Sequence, residues 1–497
     1  MSDETPQGWV ETPLETLAAS TKYPIGDGDH GQIKPATYTD KGVPYIRVAD
    51  MGWGKFEPNG LVHIPEEVHE QNLKSELLPG DVLIAKTGAT IGKCCIVPDS
   101  IPRANTTSSV GKVTINRDVT SPEWILYYFL TRDFKEQMWA VSEKTAQPGF
   151  NIRDLKQFRI LLAPLAEQRR IVAKLERLLG KVDACQLGLA KIPVLLKRFR
   201  QSVLAAACSG RLTADWRDEA ETENLNPSVP ANPEGLADVE AIVDTPDHWR
   251  WLPLQALCDR TRAICYGVIK LGAEFPNGIP CLRTSDVKPL HLDTSGVKRI
   301  APDISNKYRR TLLRGGEVLV TVRGTLGGVA TVPVELRDWN ISREVALVPL
   351  ADVVAKFIAF WIAAIACQKW LTGVTKGVAY TGINIEDLRM LPVALPSIAE
   401  QKEIVRRVGA LFALADRIEA RFAKANVQVD KLAASLLAKA FRGELVPTEA
   451  ELARREARDY EGAQALLERL SARNDRANPA HLSRKPWRRR TAPKRSR

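Results

Sequence analysis

The sequence of 497 residues predicts an α+β fold of two similar mixed α/β domains. Two long helices separate them and pair as an antiparallel coiled coil, so that a pseudo-two-fold relates the halves. Three observations carry this: an internal repeat, two apolar heptad stripes in one register, and short β-type runs alternating with Gly-rich turns. In the repeat, GWVETPLETL (8–17) answers HWRWLPLQAL (248–257) at an offset of 240, and GVPYIRVAD (42–50) answers GIPCLRTSD (278–286) at 236. LLPGDVLIAKTGATIG (77–92) answers LLRGGEVLVTVRGTLGG, which sets Gly88 and Gly92 opposite Gly324 and Gly328. GFNIRDL (149–155) answers GINIEDL (382–388) at 233, followed by AEQ at 166–168 and 399–401, and SGRL (209–212) answers RGEL (442–445). Matches that stay in order while the offset drifts are what tandem duplication with small loop deletions leaves.

Taken in order, residues 1–160 and 248–393 form the two globular domains. Their β-type runs (VPYIRV, DVLIA, EVLVTV) lead into helical stretches, WILYYFLTRDFKEQM in one copy and VVAKFIAFWIAAIACQKWL in the other. The longest apolar run, FIAFWIAAIAC (357–367), is far short of the ~20 residues that cross a bilayer, so it reads as a buried helix.

Residues 161–212 and 394–450 are the helices. The first places Ile171, Leu175, Leu178, Val182, Cys185, Leu189, Ile192, Leu196, Phe199 and Val203 at heptad a/d positions. The second places Ile404, Val408, Leu411, Ala415, Ile418, Phe422, Ala425, Val429, Leu432 and Leu436 there. A 3.5-residue spacing keeps one stripe facing a partner helix. Pro193 should kink or split the first helix. Ser397 with Glu400 reads as a capping box. Gly210 and Gly443 stand where left-handed C-terminal caps belong, with Leu212 and Leu445 covering the ends. An acidic, Pro-containing linker (213–247) joins the copies, and residues 451–497 extend beyond them to a basic tail, expected to be disordered.

The formal net charge is +11, but the tail RKPWRRRTAPKRSR (484–497) holds +8 of it and the linker −9, which leaves +12 spread over the duplicated body. The eight cysteines form no CxxC pair, no histidine stands at metal-ligand spacing from one, and the polar start MSDETPQ is no signal peptide; a cytoplasmic protein with free thiols is expected. TGATIGKCC (87–95) resembles a phosphate loop, yet its Gly88-to-Gly92 spacing is one residue short and Cys94 replaces the magnesium-binding Ser/Thr. A Gly-rich hairpin is the better reading. No hydrolase elbow, metalloprotease or dinucleotide motif is present, nor the Asn/Asp-Pro-Pro-aromatic tetrapeptide of amino-methyltransferases.

Two related domains held apart by pairing helices form a measuring device, as in dimers of DNA-reading modules. The order of these motifs resembles the DNA-specificity subunits of type I restriction–modification systems. It is carried by GWxxxPLxxL in each copy, PGDVLIAKTGATIG and its repeat, NIRDL/NIEDL, AEQRRIV/AEQKEIV and VLAAACSGRLTADWR, and it covers about residues 5–450. The resemblance implies two target-recognition domains that read the unlike halves of a split, asymmetric site on double-stranded DNA. It implies helices that set the gap and dock two methyltransferase subunits, with motor-nuclease subunits completing a host-defence complex. By the same resemblance the chain is itself non-catalytic and binds no cofactor, and S-adenosylmethionine, ATP and magnesium belong to the partners. A duplicated coiled-coil scaffold without DNA binding is the alternative.

Base readout needs forked donors and acceptors on loops. The candidates in the first domain are Arg47, Lys86, Thr87, Thr90, Lys93, Arg103, Asn105, Thr106, Thr107, Lys144 and Gln147. In the second they are Arg283, Arg323, Thr325, Asn340, Arg343, Lys376, Tyr380 and Thr381. Arg47 and Arg283 lie beside Asp50 and Asp286, so an internal ion pair is their other reading.

Overall fold

The computed structural model describes residues 5–142, 148–219, 243–324, 326–374 and 382–477. It divides into two compact units, residues 1–188 with 425–497 and residues 189–424. Each unit holds one globular repeat, part of the long helix that belongs to it in sequence, and part of the other long helix.

In the first unit the strand Val82–Ala85 is buried at every position. It pairs antiparallel with Cys94–Ile96 on one side and Val110–Val113 on the other, and Ile25–Asp27 edges the sheet. A strand apolar on both faces requires cover on both faces. The helix Pro122–Phe129 contributes to one side, burying Trp124, Ile125 and Phe129 in the same core; Ser121 caps it by accepting the Trp124 N–H, and Pro122 occupies its first turn. A second sheet runs in the order Val62–Ile64, Val43–Ile46, Ala104–Thr106, Glu76–Leu77, and its central pair is parallel. Val10–Pro13 pairs with Arg159–Leu162 and closes the repeat next to the long helix.

The second unit repeats this plan. Cys265–Tyr266, Val345–Val348, Val318–Thr321 and Val329–Thr331 form the first sheet; Lys298–Ile300, Ile279–Leu282 and Asn340–Ile341 form the second, the last two strands again parallel. Arg250–Pro253 pairs with Pro392–Leu395. The run FIAFWIAAIAC is buried from Phe357 to Ile362, but Ile365 is exposed and the run is not one helix: Ala355–Ala363 and Ile365–Val374 meet at Ala364, whose extended backbone (ψ 144°) breaks the ladder. Among the described residues no helix is long and apolar enough to cross a membrane.

The first long helix consists of Leu165–Ala190 and Ile192–Cys208, split at Lys191 just before Pro193; the second runs unbroken over Ile398–Phe441. Within the first unit, Ile171 and Leu175 share a core with Leu437, Ala440 and Phe441, while Gln186 donates to Asp430 (3.1 Å). Numbers that rise on one helix fall on the other, so the pairing is antiparallel. Within the second unit, Val203, Leu204 and Cys208 pack with Ile404 and Val408, and Arg200 bridges Asp416 (2.6 Å) and Glu419 (2.8 Å).

The heptad stripe is not buried throughout. Ile171, Leu175, Val182, Leu196, Val203, Ile404, Val408 and Ala415 are buried; Leu178, Leu189, Ile192, Phe199, Leu411, Phe422, Ala425, Val429 and Leu436 are half-buried. Cys185, Ile418 and Leu432 are exposed, the last two by 39% and 49%. A straight α-helix drifts about 20° per heptad against a strict seven-residue repeat. By the end of the second helix the buried face has moved on to Leu437, Ala440 and Phe441.

Gly210 (φ 70°) and Gly443 (φ 72°) end the helices in the left-handed region, and Leu212 and Leu445 pack over the ends. The capping box at Ser397 is only half formed. Its hydroxyl accepts the Glu400 N–H (3.1 Å), but the Glu400 carboxylate turns into the core. There it accepts from Arg217 (2.5 Å), Thr213 (2.8 Å), Trp249 Nε1 (3.2 Å) and His248 (3.2 Å). Glu167, its repeat equivalent, accepts from Trp9 Nε1 (3.1 Å) and the Glu449 amide (2.8 Å). Burial pushes the Glu167 carboxyl up, against the pull of that amide, the indole and Arg170. The neighbouring glutamines tie down loops, Gln168 donating to the Val119 and Ala163 carbonyls and Gln401 accepting the Val354 N–H. The AEQ motif is therefore an internal lock between helix and domain.

Candidate nucleic-acid interface

In the first unit backbone hydrogen bonds bring four loops to one edge. Asp29 N–H donates to Thr106 O (2.9 Å) and Ser108 N–H to Asp29 O (2.8 Å). Lys86 N–H donates to Ser109 O (2.8 Å), and Phe150 N–H to Lys86 O (3.1 Å). Gly28 permits this approach, because a Cβ there would meet the Thr106 carbonyl at 1.9 Å. The Asp29 carboxylate accepts the N–H groups of Gly31, Gln32 and Ile33 (2.9–3.1 Å) and stiffens its loop.

The second unit builds the same edge. Val268 N–H donates to Ile341 O (2.7 Å), Arg343 N–H to Val268 O (2.8 Å), Val322 N–H to Glu344 O (2.9 Å) and Ile383 N–H to Val322 O (2.8 Å). Gly267 stands for Gly28, again 1.9 Å from a carbonyl, that of Ile341.

The Gly-rich turn lies on this edge in both units, bridged to the loop before NIRDL or NIEDL through Thr87/Gly149 and Arg323/Gly382. Its amides close the hairpin: Ile91 N–H donates to Gly88 O and Gly92 N–H to Ala85 O, so they do not converge on a phosphate. The turns differ in length. Ala85 N–H bonds Lys93 O in the first unit, whereas Thr321 N–H bonds Gly328 O in the second. Lys93 is therefore the counterpart of Gly328, and Gly92 (φ 87°) that of Gly327 (φ 93°), which corrects the alignment of Gly92 with Gly328. One residue is missing from the second turn. Cys94 beside the first turn is buried, and its thiol is pushed up to about 12 by that burial, so it is a packing residue.

The candidate readers separate sharply. Thr87, Thr90 and Arg343 are exposed on the edge, and Lys93, Thr107 and Arg323 are half-buried there. The Arg323 guanidinium lies 5.5 Å from the Tyr266 ring centroid. Lys86 is not a surface donor: it is 5% exposed and pairs with Asp27 (2.5 Å). Asn105, Thr106 and Asn340 are core residues. The Asn105 amide reaches Asn72 O (3.3 Å), Thr106 donates to Ile46 O (2.8 Å), and Asn340 links Thr311 (2.7 Å) to Ser305 (3.0 Å). Arg103 pairs with Glu66 (2.7 Å). Arg47 and Arg283 bind Asp50 (3.4 Å) and Asp286 (3.1 Å) and donate to the Gly60 and Gly296 carbonyls. The ion-pair reading holds for both. Lys144, Gln147, Thr325, Lys376, Tyr380 and Thr381 lie outside the described residues.

Residue-type reasoning overlooked the loop after Gly28 and Gly267. It carries His30 in the first unit and Ile269 with Lys270 in the second, all exposed. Aligning the two glycines would have exposed it. NIRDL and NIEDL, by contrast, are helix starts: Asn151 accepts the N–H groups of Arg153 and Asp154, Asn384 accepts that of Glu386, and Leu155 and Leu388 are buried. Together, the exposed and half-buried groups give the first edge hydroxyls, an imidazole and one lysine, and the second edge two arginines and a lysine.

Residues 30–188 and 272–425 match the family model of the type I restriction modification DNA specificity domain. The chain is 32% identical to the EcoBI specificity subunit of Escherichia coli, over 90% of this chain and 89% of that one. It is 28% identical to the EcoKI specificity subunit of E. coli K12, over 88% and 90%. A chain of a solved type I R-M system aligns at TM-score 0.63 and 21% identity, covering 89% of this chain and all of that one. The HsdS subunit of Thermoanaerobacter tengcongensis aligns at 0.52 and 22%, covering 89% and 98%. The chain belongs to the family of type I restriction–modification specificity subunits.

Proposed function

We propose that this specificity subunit reads a split, asymmetric target on double-stranded DNA, each unit's edge contacting one half. The observation that carries the reading is one backbone edge built twice with unlike side chains, Thr87, Thr90 and Lys93 against Arg323 and Arg343. Arginine forks suit guanine edges, and hydroxyls accept or donate to several bases, so the two halves differ in sequence. The paired long helices set the unread gap and dock two methyltransferase subunits, with motor-nuclease subunits joining the complex. S-adenosylmethionine, ATP and magnesium act on those partners, and this chain supplies sequence choice without chemistry of its own.

The test is methylome sequencing of cells that express the partner subunits, with and without this chain. The expected outcome is loss of one split adenine motif when the chain is absent. Arg323→Ala should relax one position of one half-site, a loss of about 1–3 kcal/mol at that base pair. An unchanged methylome would refute the reading. Uniform weakening on all sequences would make Arg323 a phosphate contact.

A further inference from the structure

A second turn, residues 51–56, stands beside the Gly-rich turn of the first unit. Met51 and Phe56 bridge its ends, Gly52 N–H donates to Lys55 O (2.9 Å), and Gly54 N–H donates to Cys94 O (2.8 Å). This tied-down turn leaves Trp53 51% exposed. A tryptophan that finds a partner buries about 150–250 Å², so about half of a large apolar surface stays in water here. A Cβ on Gly92 of the Gly-rich turn would meet Trp53 Cζ3 at 3.7 Å, and the Lys135 ammonium stands 5.1 Å from the Trp53 ring centroid. Lys135 comes from the helix Arg132–Ser142; one turn on along the same face is Trp139, 40% exposed. Two residues beyond Trp53, Lys55 pairs with Asp183 of the long helix (2.6 Å).

The second unit keeps the backbone and drops the aromatics. Leu290 N–H donates to Val329 O (2.7 Å) as Gly54 does to Cys94 O, and both residues are left-handed (φ 62° and 88°). Pro289 therefore stands where Trp53 does. A Cβ on Gly92 would meet Met138 (3.0 Å) and one on Gly327 would meet Gln368 (3.2 Å), so Lys135 and Trp139 answer to Ile365 and Lys369.

We propose, on the reading that the edge meets duplex DNA, that Trp53 packs on a deoxyribose at the gap side of the first half-site, with Lys135 on the adjoining phosphate. A base inside a duplex has both faces stacked, so the indole finds its apolar partner in the sugar. Sugar and phosphate contacts position a protein without reading sequence. An ammonium with one side on the ring keeps N–H donors for a phosphate. The first edge offers one lysine where the second has two arginines and a lysine, and apolar packing makes up the difference. The Lys55–Asp183 pair ties the turn to the helix that sets the gap. Two copies of one methyltransferase subunit need a surface built twice. This one is built once, on the unit whose edge is short of cations.

Hydroxyl-radical footprinting, which cuts deoxyribose that solvent reaches, tests this on the full chain with its methyltransferase subunits and a duplex bearing the methylated motif. Trp53→Ala should unmask sugars on the gap side of the first half-site and leave the second half-site protected. It should weaken binding about tenfold on every sequence without changing the slope of log affinity against log salt. Trp53→Phe, which keeps an apolar ring, should keep the protection. Lys135→Ala should lower that slope by about one. An unaltered footprint and affinity in Trp53→Ala, while the unaltered chain protects both half-sites, would overturn the inference alone. An unaltered chain that protects neither would overturn the reading of the edge as well. Loss of a methyltransferase subunit from the Trp53→Ala complex, with the sugars still protected, would give the surface to that partner instead.

Discussion

The two units end their long helices at equivalent places with unlike side chains. In the first, Phe441 lies between Trp124 (4.7 Å) and Tyr128 (5.2 Å). In the second, the residue at the same repeat position is Cys208, buried in a core that holds Phe357 and Trp361 from the neighbouring helix. The left-handed glycine, the covering leucine and the buried glutamate beside them are common to both units. Divergence has exchanged filler volume and the side chains of the loop edge while keeping the contacts that fix how helix meets domain. A filled core accepts many combinations of volume. A left-handed turn and a buried carboxylate accept few substitutes.

The most severe test of this comparison is to empty the two helix ends. Phe441→Ala should destabilise the first unit by about 3–5 kcal/mol, whereas Cys208→Ala should cost the second about 1 kcal/mol. Urea denaturation with hydrogen exchange resolved by unit measures both. Equal losses would mean that the ends are not differently filled.

The two buried glutamates make a similar contrast. Glu400→Ala leaves Arg217 without its carboxylate inside the lock and should cost about 3–5 kcal/mol. Glu167→Ala removes an acceptor from an indole and an amide and should cost about 1–3 kcal/mol.

The two edges proposed to read DNA should separate by salt dependence. Arg343→Ala should lower the slope of log affinity against log salt by about one, while Thr90→Ala should leave the slope unchanged and alter base preference. Duplex binding at several salt concentrations distinguishes them.

The pH response isolates the first unit's lock. Burial raises the folded-state pKa of Glu167 above its ordinary 4.5. Its contribution is thus fully present below 4.5 and is lost as pH rises through the raised value. Glu167→Gln should remove that gain on acidification, so thermal melts of variant and unaltered protein should diverge as pH falls toward 4.5. The smallest effect is expected at the exposed stripe: Ile418→Lys and Leu432→Lys should each change the stability of the isolated chain by less than about 0.5 kcal/mol.

Much of the fold is legible in the sequence because its signals are local or repeated. Gly210 and Gly443 announce left-handed caps, Pro193 a split helix, and the drift from 240 to 233 a duplicated plan. The site is less legible. Lys86 and Asn105 are polar residues of the type that reads bases, yet Asp27 and Asn72, 59 and 33 residues away in the chain, hold them inside, whereas the pairs of Arg47 with Asp50 and Arg283 with Asp286 are local and legible. Nothing local marks which polar side chain will find a partner many residues away.

The sequence by itself determined the duplication, the two long helices, their caps and the family, since these rest on periodicity and on residue types with narrow backbone preferences. Only the tertiary structure decided three further points. It showed which heptad positions are buried, because helical drift accumulates against a strict repeat. It showed that AEQ is a lock rather than a capping box, because the Glu400 carboxylate is met by an arginine from 183 residues earlier. And it showed which polar groups remain exposed at the loop edge, because burial and pairing are set by what folds against a residue.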